Sequence, residues 1–147
     1  MPADSMKTIR ISDLTPNGVL AVDLSDILRA VRSRAVKSVW RASPVEALFA
    51  GDPFVERDEI WGTGDGADEL DELGRSGQRV SGARLVQLAA KVTQIIWGEF
   101  KGYDSASTVD PWIIIIAVDS TWFEVRSTDD EALSRLQASF KDVSQVA

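Results

Sequence analysis

The two side chains that do most nucleophilic and acid–base chemistry near neutral pH are missing from this 147-residue sequence, which has no cysteine and no histidine. No Ser-His-Asp or Cys-His system can be assembled from it, and disulfides and zinc-thiolate sites are excluded as well. Carboxylate chemistry remains. Glu99, Asp119 and Glu124 lie on or beside neighbouring predicted strands, where two of them could meet as a hydrolytic acid and base must. Each has a plain structural reading too, Asp119 as a turn residue and the glutamates as members of a solvated strand face. The pair Asp119-Ser120 has the outline of a nucleophile with no base to activate it.

The carboxylates are spread unevenly. Glu56, Asp58, Glu59, Asp65, Asp68, Glu69, Asp71 and Glu72 fall in one short stretch whose only base is Arg57. The chain has 23 acids and 16 bases, so the remainder balances at 15 of each and this stretch carries the whole formal charge of -7. Such a concentration produces a field that steers a basic partner. Trp61 sits inside it, and an aromatic residue ringed by charge is the composition of a binding hot spot. The expected partner-binding face is therefore Glu56, Asp58, Glu59, Trp61, Asp65, Asp68, Glu69, Asp71 and Glu72. Two plainer readings stand beside it. The stretch can be a charged, solvated loop and helix, or it can pair internally with the basic run Arg29, Arg32, Arg34, Lys37 and Arg41. Exposed pairs of that sort contribute under about 1 kcal/mol each.

Other ligand chemistries find little support. The GTGDG run at Gly62 to Gly66 lacks the Gly-Lys-Ser/Thr ending of a phosphate loop, and its acidic surroundings repel phosphate. Asp65, Asp68 and Asp71 lack the alternating ligand pattern of an EF-hand. No cofactor and no metal are expected. A pI near 4.6 argues against nucleic acid as a partner. The N-terminal MPADSMKTIR has no apolar signal core, and the longest apolar run, Trp112 to Val118, is far shorter than the roughly 20 residues of a membrane helix. The expectation is a cytoplasmic protein with no membrane partner.

The scaffold that would position these groups is organised around Trp112 to Val118, the most apolar and most β-branched run, read as a central strand. Trp122 to Arg126 flanks it through a short Asp119-Ser120 turn, and Trp97 to Tyr103 flanks it on the other side. With Ile113 and Ile115 on one face, Trp112, Ile114 and Ile116 point to the other, so both faces are apolar. A helix is predicted from about Leu24 to Ala35, capped by Asp23 or Ser25, followed by a strand at Val36 to Ala42 that Ser43-Pro44 ends. Val45 to Phe54 is ambiguous between helix and strand, and Glu56 to Trp61 has mild β character. Gly62, Gly64 and Gly66 read as a flexible connector, Ala67 to Leu73 as an acidic helix stopped by Gly74, and RSGQRVSG as a loop. Leu85, Leu88, Ala89, Val92, Ile95 and Ile96 recur at three-and-four spacing, predicting a helix from Ser81 to Ile96. The last helix opens with a capping box, Thr128 to Glu131, and runs to Val143. The five tryptophans, Trp40, Trp61, Trp97, Trp112 and Trp122, fall on or next to predicted strands and read as core or sheet-face residues. The chain is expected to be one α+β domain over 1–147, an antiparallel sheet of four to six strands packed against two or three helices.

The segments SGARLVQLAAKVTQIIWGEFKGY, PWIIIIAVDSTWFEV and TDDEALSRLQASFKDV resemble a family of small, mostly uncharacterised bacterial α+β proteins. The resemblance runs from Ser81 to Val143 through Ser81-Gly82, Gln94, Gly98-Glu99-Phe100, Pro111-Trp112, Ala117 to Ser120 and Phe140 to Val143, and it implies no catalytic residue. In size and acidity, though not in motif, the chain is similar to bacterial immunity proteins that neutralise toxins. That likeness implies a non-enzymatic immunity or inhibitor protein, monomeric or homodimeric, occluding a basic toxin or effector with its acidic face. The competing expectations are a small carboxylate-based hydrolase or ligand-binding domain and a structural subunit of a larger assembly.

Overall fold

The computed structural model describes residues 6–45 and 59–146. In chain order its elements are β1 (Lys7–Ile11), α1 (Leu24–Ala30), α2 (Arg32–Ala35), β2 (Val39–Ser43), β3 (Trp61–Gly64), α3 (Ala67–Ser76), β4 (Arg79–Ser81), α4 (Gly82–Ala90), β5 (Val92–Tyr103), β6 (Ile113–Val118), β7 (Trp122–Ser127), α5 (Asp130–Ser139) and β8 (Val143–Val146). All strands join one antiparallel sheet in the order β4-β2-β5-β6-β7-β1-β8, with β3 also paired to β5. The expected four to six strands against two or three helices is thus corrected to eight strands and five helices among the described residues. The strands that the sequence pattern hides are short: β3 and β8 have four residues and β4 has three. They lie in glycine-rich or polar stretches, where pairing with a neighbour rather than residue propensity makes a strand.

The apolar, β-branched run does form the centre, with β6 between β5 and β7. Strand β5 is the longest, at 12 residues, and its two edges are used differently. One edge pairs with β6 from Trp97 to Gly102. The other takes β2 along Glu99 to Tyr103 and β3 along Val92 to Trp97, so β2 and β3 run end to end on the same side. The predicted helix from Ser81 to Ile96 is corrected here, because α4 stops at Ala90 and Val92 to Ile96 begin β5. Apolar spacing alone does not separate the two states, and the β-branched Val92, Thr93, Ile95 and Ile96 pack better on a pleated surface.

Helix ends follow backbone hydrogen bonding. Asp23 and Asp26 form a reciprocal capping box on α1, and Ser81 accepts from the Arg84 amide at the start of α4. The helix predicted through Ala35 breaks at Val31 into α1 and α2. Helix α3 runs through Gly74 and ends at Gly77, whose φ of 68° supplies the left-handed cap. The cap of α5 is Asp129 rather than Thr128, since the Asp129 carboxylate accepts from the Ala132 amide. That helix stops at Ser139, short of the predicted Val143. Asp13 accepts from the Lys141 and Asp142 amides, and Ser12 donates to the Asp142 carbonyl, which hands the chain to β8 beside β1.

The helices supply one side of the core. Leu24, Ile27 and Leu28 of α1, Leu70 of α3, Leu85, Leu88 and Ala89 of α4, and Leu133 and Leu136 of α5 join Ile9, Trp40, Phe100, Ile113, Ile115, Phe123 and Val125 from the sheet. On the opposite face, Trp97, Ile116 and Val118 cluster with Val45, with Ile96, Ile114 and Trp122 against them. No helical residue belongs to that second cluster among the described residues. Both faces of β6 are therefore apolar, as its unbroken run predicts. Trp112 departs from the predicted alternation: it precedes β6 and sits in the helix-side core, edge-on to Trp40 with centroids 6.4 Å apart.

Candidate partner-binding face

Of the nine residues predicted to form the acidic face, Glu56 and Asp58 lie outside the described residues. The other seven run from Glu59, just before β3, through Trp61 and Asp65 to the first two turns of α3. Helix α3 forms because Ala67, Leu70 and Leu73 recur on one side, where Ala67 is buried and Leu70 and Leu73 pack into the helix-side core, which leaves Asp68 and Glu72, four residues apart, on its outward crest. Asp68 and Glu69 occupy the first turn, where the helix dipole favours negative charge.

The acids divide into two sets. Asp71 accepts from the Ile60 amide at 3.2 Å and from Arg75 Nε at 3.0 Å, Glu59 meets the same arginine at 3.4 Å, and Glu69 pairs with Arg84 of α4. These three tie α3 to its neighbours. The hydrogen bond and charge of Asp71 hold the exposed Arg75 guanidinium above its ordinary value. Asp65, Asp68 and Glu72 are exposed and have no ion-pair partner among the described residues. Arg75 and Arg84 are thus the cations that hold Glu59, Asp71 and Glu69. Two members of the basic run pair elsewhere: Arg29 with Asp26, and Arg34 with Asp104 and Asp129.

Trp61 is placed apart from the crest. Its side chain is 46% exposed, and its register partner in β5 is Trp97, which belongs to the cluster on the helix-free face. The preceding Ile60 packs into the helix-side core, so alternation along the strand sends Trp61 to the side away from α3. Trp61 ends a row that crosses four strands, Trp122–Val118–Trp97–Trp61. That row went unseen in the sequence, because it needs the registers of three strand pairs.

The catalytic alternative also has a definite geometry. Glu99 and Glu124 are both register partners of Ile116, one from each side, and their side chains share the helix-free face. Two strand spacings put their backbones about 10 Å apart. Both residues are buried, at 2% and 3% exposure, and both carry ion pairs: Glu124 with Arg126 at 2.8 Å and Arg10 at 3.6 Å, Glu99 with Lys101 at 3.4 Å. Arg10 also stacks over Trp122, 4.3 Å from the ring centre. Asp119 is not with them. It lies three residues beyond Ile116 in an exposed hairpin turn closed by the Thr121 amide on the Val118 carbonyl.

A third polar cluster escaped sequence reading. Arg34 of α2 donates to Asp104 at 2.8 and 3.0 Å and to Asp129 at 2.8 Å, and its guanidinium lies 4.2 Å from the centre of the Trp112 ring. Burial works against the charged form of both partners. For Arg34 the two carboxylates outweigh it and raise its value, and for Asp129 the arginine and the Ala132 amide outweigh it and lower its value. Trp112 is fixed in turn by donating from Nε1 to Ser38 Oγ at 2.9 Å. A cleft of about 500 Å³ opens beside this clamp, lined by Lys7, Asp110 and Asp130 among others, and Lys7 and Asp130 pair at 3.0 Å. Among the described residues no group of three or more carboxylates is placed to hold a metal ion, and no helix is long and apolar enough to cross a membrane.

No family model, curated protein or solved structure matches the chain. The likeness to immunity proteins rests on size and acidity alone.

Proposed function

We propose that the protein is a non-enzymatic binding protein of the immunity or inhibitor kind, and that it captures a basic protein, a toxin or effector, on the outward crest of α3. The observation that carries this reading is that Asp65, Asp68 and Glu72 are exposed and have no ion-pair partner among the described residues, while the other described acids of the segment are held by Arg75 and Arg84. The held acids fix the helix, and Asp68 and Glu72 face outward one turn apart, at the spacing of neighbouring helix side chains, with Asp65 exposed in the turn before it. Charges placed so mainly raise the association rate of a cationic partner and choose its orientation. A toxin that binds nucleic acid suits such a surface, because it already presents cations spaced for phosphates. Trp61 faces the other side of the sheet, so the contact rests on the carboxylates. Cytoplasmic residence belongs to the same proposal.

The test compares the wild-type chain with the Asp65→Asn, Asp68→Asn, Glu72→Gln variant as bait in lysate of its source, with washes at rising salt. A basic protein retained by the wild type, released by salt and lost from the variant supports the reading. The same proteins on both baits would remove the crest from the interface.

A second reading keeps one point in its favour, the shared face of Glu99 and Glu124. Their ion pairs with Arg10, Arg126 and Lys101 are the compensation that burying a carboxylate requires, whether or not it reacts.

A further inference from the structure

We draw no further inference here: the strongest candidate, the helix-free face of the sheet with its row of Trp122, Val118, Trp97 and Trp61 beside the Arg10–Glu124–Arg126 pairs, carries nothing because nothing in the structure shows what covers it.

Discussion

At the scale of single residues, two backbone positions bear more than their side chains suggest. Gly82 opens α4 where the end of α2 presses on it: its amide donates to the Ser38 carbonyl at 2.8 Å, and a Cβ there would lie 1.9 Å from the Ala35 carbonyl oxygen. Backbone cannot yield as a flexible side chain does, so Gly82→Ala should force the two helices apart and cost about 3 kcal/mol in urea unfolding. A loss below about 0.5 kcal/mol would mean that the contact is soft. The hairpin turn is the opposite case. Asp119 and Ser120 both have positive φ, 51° and 59°, and only aspartate among the two tolerates this readily. Ser120→Gly should therefore stabilise the protein by about 1 kcal/mol, which a thermal melt reads as a rise of a few degrees. An unchanged melting temperature would show that the turn relaxes elsewhere. The turn itself was legible in the sequence, from two polar residues between β-branched runs. The constraint on Gly82 was not, because its cause lies in a helix more than 40 residues earlier.

At the scale of elements, α5 depends on Asp129, which caps its first turn and receives Arg34 from α2. Asp129→Ala should cost about 1–2 kcal/mol at neutral pH through the lost cap and ion pair. The sign of its pH dependence follows from the lowered value of this carboxyl. Its stabilisation is complete above the unfolded value near 4 and is lost as pH falls through the lower folded value. Asp23 acts in the other direction: burial raises it above its ordinary value, so its share of stability declines as pH rises through the raised value. Wild type and Asp129→Ala should then differ most above pH 4 and converge towards pH 2, as followed by urea melts. A constant difference would place the whole effect in helix capping by neutral groups. The elements that could be read in advance are those with a strong apolar pattern or clear boundary residues: α1, β2, α3, α4 up to Ala90, β5 from Trp97 on, β6, β7 and the start of α5. The unread ones owe their state to a partner. Val92 to Ile96 suit a helical stripe equally well until β3 pairs with them, and β8 exists because Asp13 turns the chain onto β1.

For the whole molecule the charge pattern was the part of the site most open to the sequence, and its division into held and free acids the part most closed. Composition locates the acids, but Glu59 meets Arg75 across 16 positions and Glu69 meets Arg84 across 15, and only folding makes those pairs. Proximity in sequence groups Trp61 with the acids, whereas strand alternation separates them. This division lets a binding role be told from a structural one without the partner in hand. In a chain of net charge -7, three exposed acids without an ion-pair partner among the described residues, two on the α3 crest and Asp65 in the turn before it, repel one another and the rest of the segment. If they serve only outward contact, the Asp65→Asn, Asp68→Asn, Glu72→Gln variant should be as stable as wild type in high salt and slightly more stable, by under about 1 kcal/mol, in low salt. Asp71→Asn should behave differently: it weakens the Arg75 pair and the bond to the Ile60 amide, and so costs stability at any ionic strength. Urea melts of the three proteins at about 10 mM and about 500 mM salt separate the cases. A triple variant destabilised at both would show that the crest acids hold the fold, and the docking role would lose its basis.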